Sequence, residues 1–230
     1  MTLVAIHQPN FFPWLGFFDK IRRCDVFIAM DNAQFSKTGG TWTNRVQLIV
    51  NEEPAWVTVP IVRNYHGLRL VREMKISADL AWRDKMLRTV ELSYRRAPHF
   101  KDIFPMLEEL IRNPSSDLTD FNLAAIRALC AAMGLQTAIV LGSSLNAEGR
   151  ATELLVSMVR AVGGTAYLAG GGAAGYQEDS SFHQAGVKLI HQEFQHPTYP
   201  QFNTSMFKPG LSIVDALMNC GFEGTRELLT

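Results

Sequence analysis

The first thirty residues constrain the fold more than any other part of the chain. An apolar run over residues 3–6 stops at the polar loop His7-Gln8-Pro9-Asn10, and segment 13–23 is typical of a short helix with proline near its first turn. Next comes "DVFIAM", residues 25–30, apolar throughout as a strand buried on both faces requires. Strand, helix and strand in this order predict a βαβ unit with a right-handed crossover.

The middle of the chain follows a different pattern. Segments 44–50 and 55–61 flank the turn-rich "NEEP" and predict a β-hairpin, to which residues 68–76 would add a third antiparallel strand. Three helices are predicted next, over roughly 79–95, 101–112 and 117–133, the last ending at Gly134. We therefore expect an inserted hairpin-plus-helices segment over about 41–135.

The alternation of strands and helices then returns. Strands are predicted over 137–144, 165–172 and 187–194, with a helix over about 148–162 and a closing helix that opens near Ser212. The expected fold class is α/β, with a mostly parallel, Rossmann-like sheet built from both ends of the sequence. We expect one domain over residues 1–230, which carries the inserted β-hairpin and helical segment.

Composition narrows the class of protein. The 22 basic residues equal the 22 acidic ones, which argues against extended binding to nucleic acid or anionic lipid. The three cysteines lack metal-ligand spacing, and an odd number does not suit a disulfide framework. The first residues lack a basic signal region, and no apolar run reaches the roughly 18 residues of a membrane span. We expect a soluble, reduced, cytoplasmic protein with no membrane insertion.

Four predicted strands end in unusual polar or glycine residues. In open parallel sheets, ligands bind at the carboxyl ends of the strands, beside the point where the strand order reverses. We therefore expect these four strand ends to converge on one site. They are His7-Gln8-Pro9-Asn10, Asp31-Asn32-Ala33-Gln34, Gly142-Ser143-Ser144 and Gly170-Gly171-Gly172.

His7 is the side chain best suited to general acid–base catalysis or to a hydrogen bond with a phosphate. Asn10 shares the predicted catalytic role with His7, and Gln8 is a polar positioning group. The alternative is a half-buried histidine that only secures the loop. Trp14 either stacks on a ligand ring or packs the first helix against the sheet.

Basic residues give candidate anion anchors. Lys20 and Lys37 would bind a phosphate or a carboxylate, although a lone lysine is ordinarily a solvated surface group. Arg45, next to Asn44 at the start of a strand, suits bidentate anion binding. His183, His191 and His196 lack zincin spacing and a supporting carboxylate, so no metal site is predicted.

Two loops of small residues are candidate ligand cradles. Backbone N–H groups at Ser143-Ser144 could bind an anion at the start of a helix, or the serines could simply cap that helix. No Walker phosphate loop is present, and "AGGGAAGY" lacks the setting of a dinucleotide fingerprint. The glycine run indicates only that backbone comes close to a ligand or to another strand.

Several motifs together carry a family resemblance. "IHQPNFFPWLGFFDKI", "WVTVPI", "YLAGGGAAGY", "HPTYPQF" and "LSIVDALMNCG" resemble the WbqC-like protein family over residues 7–221. The resemblance implies a place in bacterial gene clusters for O-antigen and other surface polysaccharides, and transfer of an amino acid, glycine in particular, onto an amino sugar. The positions that it favours are His7, Gln8, Pro9, Asn10, Trp14, Gly16, Lys20, Gly170, Tyr176, Tyr199, Ser212 and Asp215. Ser212 and Asp215 also have the spacing of a helix cap, which is their alternative role.

A second, looser similarity concerns layout. A strand, a loop with His and Asn, a helix and a strand also open the nucleotidyltransferases with an H-x-G-H motif, in which loop histidines hold nucleotide phosphates. This chain has one histidine there and Pro13-Trp14-Leu15-Gly16 where a second would be expected. The similarity implies ATP and Mg²⁺ as cofactors for a nucleotidyltransferase or ligase.

Three hypotheses follow. The first is an aminoacyl (glycyl) or acyl transferase that acts on an amino sugar or sugar nucleotide in surface polysaccharide biosynthesis. Its donor would be an activated amino acid, an acyl-adenylate or a charged tRNA, the last disfavoured by zero net charge. The second is the ATP-dependent nucleotidyltransferase or ligase. The third is a non-catalytic sugar-binding or scaffolding subunit, with Tyr176, Tyr199 and Phe202 stacking on sugars.

The complete set of predicted site residues combines these arguments. His7 and Asn10 are the catalytic candidates, and the candidate cofactors are ATP and Mg²⁺. The substrate-binding candidates are Gln8, Trp14, Lys20, Asp31, Gln34, Lys37, Asn44, Arg45, Ser143, Ser144, Gly170, Gly171, Gly172 and Tyr176.

Overall fold

A computed structural model describes residues 1–36, 41–170 and 179–229 of the chain. The strands are β1 (Leu3–His7), β2 (Val26–Ala29), β3 (Arg45–Val50), β4 (Glu53–Thr58), β5 (Ala138–Leu141), β6 (Ala166–Ala169) and β7 (Lys188–His191). The α-helices are α1 (Leu15–Arg23), α2 (Ala81–Tyr94), α3 (Phe100–Ile111), α4 (Leu118–Ala132), α5 (Ala151–Ala161), α6 (Asp179–Gln184) and α7 (Ile213–Glu227). None of the helices in these three ranges is long and apolar enough to cross a membrane.

Five strands form one parallel sheet in the order β5-β2-β1-β6-β7. Counted along the chain, this is the third, second, first, fourth and fifth strand of the sheet, which is the strand order of Rossmann folds. The order reverses between β1 and β6. The predicted α/β class with a parallel, Rossmann-like sheet is confirmed, and the carboxyl ends of all five strands lie at one edge.

The two faces of the sheet bury different side chains. Alternate residues of a strand point to opposite faces, so Ala5 and Phe27 join the apolar core of the α1 side. Val4, Ile28 and Tyr167 join a second core with residues of α5 and α6. Burial on both faces explains why these strands are almost continuously apolar.

The inserted segment contains the predicted hairpin and helices. Strands β3 and β4 pair antiparallel with Gln47 opposite Trp56, and Asn51 and Glu52 have φ of 51° and 69°. Positive φ at both central residues is typical of a two-residue hairpin turn, so β4 begins earlier than the sequence predicted. Helices α2, α3 and α4 agree with the predicted ranges to within two residues.

The third antiparallel strand predicted for residues 68–76 does not form. A 3-10 turn occupies Val71–Glu73, and only single bridges flank it, from Leu70 to Gln34, from Ile76 to Ile61 and from Lys75 to Asp117. The N–H groups of Val71 and Arg72 donate to the loop after β2 instead. Because the segment divides its backbone hydrogen bonds among three partners, which are the loop after β2 and the segments 60–62 and 116–118, no continuous ladder results.

Candidate functional site

A cavity of about 870 Å³ opens where the strand order reverses. It lies at the carboxyl ends of β1 and β6, the position that ligands occupy in open parallel sheets. The lining contains five of the predicted site residues, which are His7, Gln8, Trp14, Lys20 and Gly170. It also contains residues that the sequence did not single out for this site, among them Thr152, Tyr167, Gln192, Glu193, Phe194 and His196.

His7, the last residue of β1, presents a neutral imidazole to this cavity. Its Nδ1 lies 3.0 Å from the backbone oxygen of Gln8, which can only accept, so Nδ1 carries the proton and Nε2 keeps a lone pair. Burial, and then the nearby charge of Lys20, lower the pKa of His7 to about 4. The rings of Trp14 and Phe17 contact the imidazole edge-on, at centroid distances of 5.6 and 5.1 Å.

Lys20 places a buried amine in the same cavity. Its side chain on α1 is only 3% exposed, and burial lowers its pKa from 10.5 to about 8. Within the described ranges no carboxylate lies within ion-pair distance of Lys20 Nζ. A buried, mostly protonated amine of this kind suits an anionic ligand group.

Glycine at the end of β6 leaves room for the Lys20 amine. A Cβ atom added at Gly170 would lie 2.8 Å from Lys20 Nζ, closer than non-bonded heavy atoms approach. The first residue of the predicted glycine run therefore gives space to the lysine. Gly171 and Gly172 lie outside the described residues.

A polar group at the end of β7 supports the helix that carries Lys20. Gln192 Nε2 donates to the backbone oxygen of Gly16 at 2.6 Å and to Asp19 Oδ2 at 2.7 Å. Arg23 completes the arrangement by donating to the backbone oxygen of Gln192 at 2.8 Å. These bonds tie α1 to the sheet edge. Sequence reasoning missed Gln192, although the strand-end rule applied to β7 would have found it.

The loop after β1 is held from the inserted segment. Asn122 on α4 is fully buried, and its Nδ2 donates to the backbone oxygens of Pro9 and Thr43 at 2.8 and 2.7 Å. Thr43 Oγ1 in turn donates to Gln8 Oε1 at 3.2 Å. The insertion thus positions the loop that contains His7 and Gln8. No local sequence signal marks Asn122 for this role.

Two of the predicted strand ends bind each other through Asp31 and Ser143, and of their residues only Ala33 reaches the cavity lining. Ser143 donates from its backbone N–H and from its hydroxyl to the Asp31 carboxylate, at 2.8 and 2.6 Å. Ser144 Oγ donates to the backbone oxygen of Leu141 at 2.8 Å. Neither serine lines the cavity, and the N–H of Ser143 is occupied by Asp31. A ligand-binding role for these three residues stays a prediction.

The remaining predicted site residues lie off the cavity wall or outside the described residues. Asn10 and Asn44 are buried, the latter donating to the backbone oxygen of Val59 at 3.0 Å. Gln34 forms an isolated bridge with Leu70, and Arg45 lies over the Trp56 ring. Residues outside the described ranges are Lys37, Gly171, Gly172 and Tyr176.

Three residues favoured by the family resemblance have structural partners. Ser212 caps α7 by accepting from Val214 N–H at 3.2 Å, as its alternative role predicted. Asp215 accepts from Tyr94 and Tyr199 hydroxyls, each at 2.8 Å. Tyr199 is 8% exposed, so the expectation that it is free to stack on a sugar is wrong. In the described ranges no cluster of His, Cys, Asp or Glu is arranged to hold a metal ion.

The strand order and the cavity define the class of protein: a Rossmann-like α/β protein with a ligand cavity at its topological switch point. The chain belongs to the WbqC-like protein family, whose model matches residues 8–227. It is 28% identical over 226 residues to uncharacterized protein Rv1507c of Mycobacterium tuberculosis (strain ATCC 25618 / H37Rv), covering 97% of this chain and 96% of that protein. No solved structure matches the chain.

Proposed function

We propose that the chain is an aminoacyl (glycyl) or acyl transferase that acts on the amino group of an amino sugar or sugar nucleotide in bacterial surface polysaccharide biosynthesis. The observation that carries the proposal is the pair of His7 and Lys20 in the lining of the switch-point cavity. One supplies a lone pair that can accept a proton, and the other supplies a positive charge that can bind an anion.

Lys20 would bind the anionic part of the substrate. A sugar nucleotide carries phosphate oxygens, and an acyl-adenylate donor carries one phosphate as well. The Lys20 ammonium is 3% exposed, so its attraction to such a group is weakly screened by water. The cavity walls formed by Trp14 and Phe17 are apolar and leave room for the uncharged sugar and the nucleobase.

His7 would act as the base for the attacking amine. In the transfer step the amine nitrogen bonds to the acyl carbon, the bond from that carbon to the leaving group breaks, and the amine loses a proton to His7 Nε2. In the free protein the pKa of His7 is about 4, which is low for a base at neutral pH. An anion bound at Lys20 would offset the lysine charge, which is the smaller of the two causes of this low pKa, and would raise the pKa of His7 to that extent.

The test is product formation by the purified chain. We expect incubation with glycyl-adenylate and a panel of UDP-linked amino sugars to yield a product heavier by one glycyl group, detected by mass spectrometry. His7→Ala should reduce the rate by about 100-fold or more, the range ascribed to a positioned base. His191→Ala is the matched control, because His191 is an exposed strand-end histidine that does not line the cavity.

A second candidate is an ATP-dependent nucleotidyltransferase or ligase. The Rossmann strand order with a cavity at its switch point favours it, since this is where such sheets bind nucleotides. Isothermal titration separates the candidates. Binding of ATP that requires Mg²⁺ and disappears in His7→Ala would favour the second, whereas binding of a UDP-linked amino sugar without ATP favours the transferase. Absence of turnover with any donor, despite sugar binding, would leave a non-catalytic sugar-binding subunit.

A further inference from the structure

Three neighbouring tryptophan rings form a row that begins in the cavity lining and ends on the hairpin. Trp14 lines the cavity, and its ring centroid lies 5.3 Å from that of Trp42, which lies 5.1 Å from that of Trp56 on β4. We call Trp14, Trp42 and Trp56 the tryptophan row. Each ring touches the next, so the row joins the cavity to the outer face of the hairpin without a gap.

The outer part of the row is open to solvent. Trp42 is 37% exposed and Trp56 is 43% exposed, although tryptophan is a residue that folding ordinarily buries. Neighbouring exposed apolar side chains on a protein surface mark sites of interaction. Packing in the core does not explain Trp56, because the residues of β3 that face the core are Val46 and Leu48.

Planar polar groups border the row. The Arg45 guanidinium lies 4.1 Å from the centroid of the Trp56 ring, and Gln47 is directly opposite Trp56 in the hairpin register. Since side chains alternate along a strand, Arg45 and Gln47 share the outer face with Trp56. The surface thus combines aromatic rings with guanidinium and amide groups that can bond to hydroxyls.

We propose that the tryptophan row binds pyranose rings, so that the amino sugar in the cavity is the end unit of an oligosaccharide whose other sugars extend over the hairpin. This inference rests on the proposed function and specifies its substrate class. A pyranose ring presents apolar C–H groups on its faces and hydroxyls at its rim. Arg45 lies over one face of the Trp56 ring, so a sugar would stack on the exposed indole surface that Arg45 leaves open, with its rim at Arg45 and Gln47.

The shape of the surface favours a sugar chain over a protein partner. The row begins inside the cavity with Trp14, as a subsite for the next unit of a polymer requires. Zero net charge on the chain is consistent with a ligand recognised by stacking and hydroxyl contacts rather than by an extended charged backbone. A protein partner is treated as an outcome of the test.

The test is the dependence of affinity on sugar chain length. We would titrate the full chain with glucosamine and with its β-1,4-linked dimer and trimer by isothermal calorimetry. We expect the trimer to bind about tenfold more tightly than glucosamine, and we expect Trp56→Ala to remove that gain while leaving glucosamine binding unchanged. Trp56→Tyr, which keeps an aromatic face, should restore part of it.

The control is Leu68→Ala, which removes a 75% exposed apolar side chain elsewhere on the surface and should keep the gain. Thermal melting verifies that each variant is folded. Equal affinity of the wild-type chain for all three sugars overturns the inference, as does an undiminished gain in Trp56→Ala. Self-association that Trp56→Ala abolishes, without any length dependence, would identify a protein interface instead. If the wild-type chain shows no transferase activity but still binds longer sugars more tightly, only the proposed function is contradicted.

Discussion

Lys20 is a residue whose burial costs stability and whose position suggests function. Its pKa is lowered from 10.5 to about 8, so at pH 7 the folded chain carries a charge that it has removed from water. A buried lysine kept for structure would have an ion-pair partner, and none is found for Lys20 in the described ranges. Stability and activity should therefore respond to this residue in opposite directions.

We predict that Lys20→Met stabilises the protein at pH 7 by about 3 kcal/mol and abolishes binding of a UDP-linked amino sugar. Between pH 8 and 10.5 the unfolded chain binds more protons at Lys20 than the folded chain. The free energy of unfolding of the wild-type protein should therefore rise through this window relative to that of Lys20→Met. Urea denaturation across the pH range measures the two stability effects, and isothermal titration measures binding of the sugar nucleotide.

The control is Lys85→Met, which changes an exposed lysine of α2 and should alter the free energy of unfolding by no more than about 0.5 kcal/mol. Destabilisation of Lys20→Met at pH 7 would contradict the prediction, because it would mean that the lysine is retained for the fold.

Residues at the carboxyl ends of strands were predictable from sequence, and their partners were not. A polar loop after an apolar run marks His7 and Gln8, because parallel sheets gather such loops at one edge. The same rule suggested Asp31 and Ser143, which bind each other. Which strand ends face the cavity depends on side-chain pairing across elements that are far apart in sequence, and no local pattern reports it.

At the scale of elements, helix α4 supports the site through one buried side-chain amide, that of Asn122. Asn122 donates to Pro9 and Thr43 backbone oxygens, and thereby holds the β1 loop and the start of the hairpin together. We predict that Asn122→Ala destabilises the protein by about 2–4 kcal/mol, since two buried acceptors lose their donor. The same variant should also lower the rate of glycyl transfer, although His7 itself is not mutated. Urea denaturation and the glycyl-transfer assay measure the two effects.

Thr119 on the same helix provides a matched control. It is 4% exposed, and its Oγ1 has no hydrogen-bond partner in the part of the chain that the structure describes. Thr119→Val keeps the shape and removes an unsatisfied hydroxyl, so it should be neutral or stabilising. Equal losses of stability in the Asn122 and Thr119 variants would indicate that any polar change in α4 is harmful. The hydrogen bonds from Asn122 to the loop would then not explain the effect.

Elements defined by periodicity were predicted well, and elements defined by pairing were not. The helices of the insertion follow from one apolar face, which is a local property of the sequence. Residues 68–76 have the composition of a strand, but their N–H groups donate to residues 31 and 33 and to other distant carbonyls. Strand formation needs a partner in register, and the sequence does not name the partner.

At the scale of the molecule, the last helix fastens the first loop. Ser212, the N-cap of α7, donates from its hydroxyl to the backbone oxygen of Phe12 at 2.7 Å, and the N–H of Ile213 donates to Pro13 at 2.8 Å. Trp14 forms a bridge with Ser212 next to these bonds. The two ends of the chain therefore jointly position the cavity wall that Trp14 forms, a contact between segments about 200 residues apart.

A buried carboxylate fastens α7 to the rest of the molecule. Asp215 accepts from Tyr94 on α2 and from Tyr199, and Tyr94 also accepts the N–H of Ile49 on β3 at 3.1 Å. Burial, followed by the charge of Asp215, raises the pKa values of both tyrosines above their ordinary value of 10. Above pH 10 the unfolded chain loses protons that the folded chain keeps, so stability should fall as the pH rises.

We predict that Tyr94→Phe lowers the free energy of unfolding at pH 7 by about 2–3 kcal/mol, because the Asp215 carboxylate and the Ile49 N–H each lose a partner. The same variant should lose less stability than the wild type between pH 10 and 11, since one buried tyrosine no longer resists ionisation. Tyr65→Phe, at a half-buried tyrosine beside Arg69, should keep the wild-type alkaline decline. Urea denaturation at pH 7, 10 and 11 measures all three proteins. An alkaline decline in Tyr94→Phe as steep as in the wild type would show that these tyrosines do not govern it, and that the attachment of α7 depends on its apolar face alone.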